Sequence, residues 1–130
     1  MGKVKGFLEY MRVTAPYRPV HERIRDYREV SEQLPRDVLR QQAGRCIDCG
    51  IPFCHALGCP LGNLIPEWND LLYNSRQEEA LRRLEMTNNF PEITGRVCPA
   101  TCETACTLAI NDSPVTIRQI ELAIIENAFA

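Results

Sequence analysis

The sequence of 130 residues holds no uninterrupted apolar run that approaches bilayer-spanning length. Its first ten residues lack the basic-then-apolar layout of a secretory signal. Together these absences predict a cytoplasmic protein with no membrane partner. Charge of one sign is equally scarce: 15 basic and 17 acidic residues are interspersed, for a net charge of −2. That excludes the electrostatic footprint of a nucleic-acid partner. The chain has no Gly-x-Gly-x-x-Gly phosphate cradle, no internal repeat and no low-complexity tract. Alternating β-branched runs are also missing, which predicts an all-α fold.

Cysteine is abundant, with seven residues. An odd count without an export signal argues against a secreted disulfide framework, and in a reducing compartment clustered thiols bind metal or carry redox chemistry. A chain of this length makes about one domain, 1–130, and buries roughly two-thirds of the surface exposed when unfolded.

Along the chain, residues 1–18 read as an irregular arm around Gly6, Thr14 and Pro16. Pro19 opens a first expected helix with Val20, Ile24 and Tyr27 on one face. A second starts at Pro35, buries Val38 and Leu39, and runs into Cys46. Cys46–Pro66 holds four cysteines, three prolines and three glycines in 21 residues, a composition that breaks regular structure and leaves thiols on turns. Trp68, Leu71 and Leu72 mark a short helix, and Ala80, Leu81 and Leu84 another over 78–87, which Pro91 and Gly95 end. A second cysteine segment spans 96–106. In the last helix Thr116 and Gln119 have the spacing of a capping box, and Ile117, Ile120, Ile124, Ile125 and Ala128 share one face.

The cysteines read Cys46-x2-Cys49-x4-Cys54-x4-Cys59-Pro60 and Cys98-Pro99-x2-Cys102-x3-Cys106. Structural zinc also uses the first pair's spacing, but a four-cysteine zinc site normally offers a second close pair, and the two-residue spacing of Cys46 and Cys49 does not repeat here. A run of four cysteines closing on Cys-Pro is instead the layout of ferredoxin-type iron–sulfur loops, in which the fourth cysteine serves a different cluster. On that pattern Cys46, Cys49 and Cys54 hold one cluster and Cys59 a second, with Cys98, Cys102 and Cys106 divided between them. Two four-iron clusters need eight ligands, so one corner is left open. Glu121 is the candidate: at 100° per residue it falls about 40° from Ile117, inside the apolar arc. A carboxylate there costs several kcal/mol unless a cation or a metal meets it. The competing reading is a salt bridge with an arginine such as Arg96. His55, beside Cys54, is a weaker ligand candidate.

Three stretches, Cys46–His55, Cys59–Pro66 and Asn88–Pro99, closely resemble the N-terminal domain of the small (beta) subunit of NADPH-dependent glutamate synthase, as do Gly6–Tyr10 and Arg18–Arg23. The iron–sulfur domain of dihydropyrimidine dehydrogenase shares the cysteine layout more loosely. This resemblance covers nearly the whole chain and implies an alpha-helical ferredoxin-like domain with two cysteine-rich cluster-binding loops. It implies one 4Fe-4S cluster on Cys46, Cys49, Cys54 and Cys106. The other is then held by Cys59, Cys98, Cys102 and Glu121. It further implies electron transfer from NADPH through FAD towards the large subunit, in an enzyme that makes L-glutamate from L-glutamine and 2-oxoglutarate. The FAD- and NADPH-binding modules of such a subunit are not encoded in these residues, so the chain is expected to be a fragment whose partners are those modules and the large subunit. On this reading it is expected to carry electrons without a catalytic site of its own. Rival readings are a relative serving another flavoenzyme, a zinc-stabilised binding module, and a thiol sensor with an exposed low-pKa cysteine.

Overall fold

The computed structural model describes residues 2–130. Eight α-helices carry the described chain: α1 (Gly6–Glu9), α2 (Val20–Arg23), α3 (Arg36–Gly44), α4 (Ile65–Tyr73), α5 (Gln77–Glu85), α6 (Pro91–Val97), α7 (Thr101–Thr104) and α8 (Ile117–Ala128). A π-helical turn, Cys54–Gly58, and a 3-10 turn, Thr107–Ile110, complete it. No strand is present among the described residues, as the all-α expectation requires. None of these helices is long and apolar enough to cross a membrane.

The core is built where apolar residues recur at helical spacing. α4 contributes Ile65, Trp68 and Leu72, α5 Ala80 and Leu84, α3 Leu39 and Ala43, and α8 Ile117, Ile120 and Ile124, all buried. α4 packs on α5 and α3, while α8 lies along α6 and crosses α5 and α3. Pro66 stands in the first turn of α4, where its missing N–H costs nothing.

Several expectations need correction. The helix after Pro19 is one turn long, and Val20, Ile24 and Tyr27 are all exposed. No described residue forms a layer above them, and the segment is instead stapled by ion pairs. Arg18 donates to Asp26 Oδ2 at 2.7 Å and Oδ1 at 3.0 Å, beside an isolated bridge between Tyr17 and Ser31. The N-terminal arm contains the single turn α1, and α3 stops at Gly44, before Cys46. Pro91 does not end a helix but begins α6, and Gly95 lies inside it. A Cβ on Gly95 would stand 2.7 Å from Leu122 Cβ, so only glycine lets α6 lie this close to α8. Ala128, placed on the buried face of α8 by its phase, is exposed at the helix end.

The capping box at Thr116 does not form. Thr116 Oγ1 donates to Val13 O at 3.0 Å, and Gln119 Oε1 accepts from Ala15 N–H at 2.9 Å. Both side chains tie the arm to α8. The orphan Arg118 N–H is taken by Glu103 Oε1 at 3.0 Å, so a carboxylate from α7 caps α8.

Candidate metal centre

The two cysteine segments meet because Gly58 lets the π-helical turn touch α7. A Cβ at Gly58 would sit 2.7 Å from Cys102 Cα and from Ala105 Cβ. Thr101 Oγ1 donates to Gly58 O across the same seam. Cys59 follows the turn directly, and Cys102 lies on the face of α7 that meets it.

Bends between the cysteines are sharp. Asp48, between Cys46 and Cys49, has φ 51°, and Ala100, two residues after Cys98, has φ 57°. Left-handed backbone disfavours residues with a Cβ by about 1–2 kcal/mol. At Ala100 it turns the backbone N–H onto Cys98 Sγ at 3.4 Å.

The thiols fall into two neighbourhoods. Cys46, Cys49, Cys54 and Cys106 line one narrow cavity with Ile65, Asn69, Thr107 and Val115. Cys49 Sγ donates to Thr107 Oγ1 at 3.4 Å. Burial pushes the Cys46 thiol up to about 11 and the Cys54 thiol up to about 12, and the charges of Cys46, Cys106 and Cys49 add to the shift at Cys54. The second neighbourhood surrounds Cys102, the one buried cysteine. Burial raises its pKa most, and Glu103, Cys59, Glu121 and Cys98 raise it further by their charges. Thiols held in this way are unreactive protonated acids unless a cation draws off their protons. Among the described residues, no group of three His, Cys, Asp or Glu side chains is arranged to hold a single metal ion.

Glu121 is 7% exposed on α8. Its Oε1 accepts from Asn88 Nδ2 at 3.0 Å and from Thr94 Oγ1. Burial raises its pKa, while Thr94, the more distant Arg118 charge and Asn88 lower it. Arg96 does not reach it; that guanidinium pairs with Glu29 and Glu126, each at 2.8 Å. His55 Nδ1 lies 3.0 Å from Asn63 O, a backbone contact that fixes the ring.

Sequence reading missed the polar groups around the thiols. Asn88 and Thr94 hold Glu121. Arg45, 1% exposed, donates to the carbonyls of Tyr10, Pro114 and Ser113, each at 2.9 Å, and so joins the arm to the loop before α8 next to Cys46. Asn69 faces the first cavity, and its signal was present: on α4 it falls about 40° from Ile65, inside an apolar arc, by the phase argument that singles out Glu121.

The donor set fits an iron–sulfur centre: half-buried thiols on irregular turns, backbone N–H groups aimed at sulfur, and an amide, Asn69, buried without a partner beside them. Comparison with known proteins agrees. Residues 23–130 match the family described as dihydropyrimidine dehydrogenase domain II, 4Fe-4S cluster. The chain is 62% identical over 125 residues to the glutamate synthase (NADPH) small chain of Mycobacterium tuberculosis, covering 95% of this chain and 25% of that protein. Its identity to the corresponding small chain of Bacillus subtilis is 50% over 137 residues, covering 99% and 28%. With the glutamate synthase (NADH) of Schizosaccharomyces pombe it shares 51% over 130 residues, covering 99% of this chain and 6% of that protein. The chain thus spans about a quarter of the length of the small chains it matches. From the match over residues 23–130, together with thiols gathered on two irregular segments, the chain belongs to the 4Fe-4S cluster-binding family of dihydropyrimidine dehydrogenase domain II.

Proposed function

We propose that this chain is the electron-transfer portion of a glutamate synthase small subunit and carries two 4Fe-4S clusters. Cys46, Cys49, Cys54 and Cys106 hold the first, and Cys59, Cys98, Cys102 and Glu121 the second. Electrons pass from NADPH by way of FAD on the remainder of the subunit, through these clusters, to the large subunit. There L-glutamine and 2-oxoglutarate become L-glutamate, in the cytoplasm. The chain itself makes and breaks no bonds of substrate.

The observation that supports this reading is that Cys46, Cys49, Cys54 and Cys106 line one cavity, apart from the seam where the turn before Cys59 meets Cys102. At that seam the charges of Glu103, Cys59, Glu121 and Cys98 all act on Cys102. Glu121 supports it further, since its two hydrogen bonds fall on Oε1 and no cation pairs with it among the described residues. Oε2 is then the oxygen for iron, oriented by Asn88 and Thr94 as outer-shell partners orient metal ligands. The clusters supply one-electron storage. The chain's own residues hold them, keep water from them and set the charge around each.

Iron, sulfide and zinc content of anaerobically prepared protein tests the reading. Two clusters give about eight irons and eight sulfides per chain. About four of each would leave a single cluster, and stoichiometric zinc without sulfide would remove the reading altogether.

A further inference from the structure

We propose that Asn69 donates its side-chain amide to sulfur of the cluster on Cys46, Cys49, Cys54 and Cys106, and so makes that cluster the easier of the two to reduce. The inference rests on the two-cluster reading above and deepens it.

Asn69 is fully buried, and neither Nδ2 nor Oδ1 has a hydrogen-bond partner. An amide left in this state carries an uncompensated desolvation cost, so its place in the core calls for an acceptor that arrives with a ligand. Position identifies the acceptor. Asn69 stands one turn after Ile65 on α4, and both line the cavity walled by Cys46, Cys49, Cys54 and Cys106. It lies close enough to Cys46 Sγ to favour that thiolate, although not in normal hydrogen-bond geometry. The indole N–H of Trp68 is also buried without a partner, but Trp68 does not line this cavity. Sulfur offers only acceptors, so Nδ2 is the end that turns to it.

The sign of the effect follows from charge. A reduced cluster carries one more electron than an oxidised one, so a donor aimed at its sulfur stabilises the reduced form more and raises the potential. The two neighbourhoods differ in this respect. Around the first, Asn69 brings its amide to the cavity and Thr107 Oγ1 lies 3.4 Å from Cys49 Sγ, with the Asp48 carboxylate between Cys46 and Cys49 opposing them. Around the second, the Ala100 N–H meets Cys98 Sγ at 3.4 Å, while the carboxylates of Glu121 and of Glu103, the latter paired with Arg12, oppose added negative charge. An electron entering the chain therefore settles on the first cluster.

An EPR-monitored redox titration of the complete, cluster-loaded chain and its Asn69→Leu variant tests this. The expected result is a negative shift of the higher midpoint only, with the lower midpoint and the iron content unchanged. Unmoved midpoints in a fully loaded variant overturn the role of Asn69 and leave the two-cluster reading intact. A parent that lacks two clusters removes both, which the iron and sulfide content of the parent distinguishes. Should Asn69→Leu fail to load, the parent carrying 15N at its asparagine side chains still decides. Asn69 is the one asparagine lining that cavity, so pulsed EPR on the first-reduced signal should detect the 15N coupling. Absence of that coupling overturns the proposal.

Discussion

Asn88, at the entry to α6, donates to Glu121 of α8 at 3.0 Å across a gap of 33 residues in sequence. This contact joins the segment before the second cysteine cluster to the helix after it. If Oε2 of Glu121 binds iron, Glu121→Ala should open one iron of the second cluster and change one reduced EPR signal, with the signal of the first unchanged. Glu121→Gln should keep an oxygen ligand and alter the signal less. Two parental signals in Glu121→Ala at full iron content would show that the carboxylate only packs against α6.

Gly95→Ala should destabilise the protein by about 1–3 kcal/mol, because the new Cβ would meet Leu122 Cβ at 2.7 Å and α6 cannot withdraw without dragging Thr94 off Glu121. A lowered Tm together with loss of the second cluster before the first is the expected pattern. A Tm equal to that of the parent would mean that α8 yields at this contact.

Arg45→Met should cost about 1–3 kcal/mol, since the buried guanidinium's charge-assisted bonds to the partly buried carbonyls of Tyr10, Ser113 and Pro114 would be lost. Arg45→Lys retains the charge but not the planar fork, so it should recover only part of that loss. Chemical denaturation with a two-state fit measures both.

Removal of iron should loosen residues 46–64 and 96–110 while α4, α5 and α8 stay helical. Composition alone suggests that much of 46–106 depends on the ligands, but Trp68, Leu72 and Leu84 belong to the core and do not line the cavity of the first cluster. Hydrogen exchange on the chelated protein separates these outcomes: protection lost throughout α4 would show that the core itself needs the clusters.

The Arg18 guanidinium and the Arg28 backbone N–H hold the Asp26 carboxyl far below the usual carboxylate range. A depressed folded-state pKa contributes stability that is present above the ordinary value of about 3.9 and lost as pH falls through the folded value. Arg28 N–H donates to Asp26 Oδ1 at 3.0 Å, so its amide chemical shift reports the event. It should stay constant down through the ordinary carboxylate range and move only in stronger acid. A midpoint near 4 would mean that the staple is open in solution.

Much of the molecule is legible in the order of its residues, because the relevant forces are local. Helical spacing of Leu39, Trp68, Leu84, Ile120 and Ile124 fixes which faces are buried, and the Cys-Pro closure of the first run points to cluster chemistry. Helix phase alone puts Glu121 in the interior. The same phase argument reaches Asn69 but calls for a reason to suspect an uncharged amide, and only the walls of the cavity supply it. Other features lay beyond local pattern. Val20, Ile24 and Tyr27 have the period of a buried face, yet burial needs a second surface and none of the described residues covers them. Thr116 and Gln119 have the spacing of a capping box, but the arm passes close enough for Val13 and Ala15 to claim their side chains. Pro91 reads equally well as a helix stop or a first turn, and the seat of Gly95 against Leu122 decides for the second. The sequence by itself determined the helical class, the buried faces of α3, α4, α5 and most of α8, and the kind of chemistry, since each depends on neighbours within a turn or two. Tertiary structure alone decided which cysteines stand together and what holds Glu121, because those contacts join residues tens of positions apart and exist only once α6 and α7 have packed against α8 and the π-helical turn.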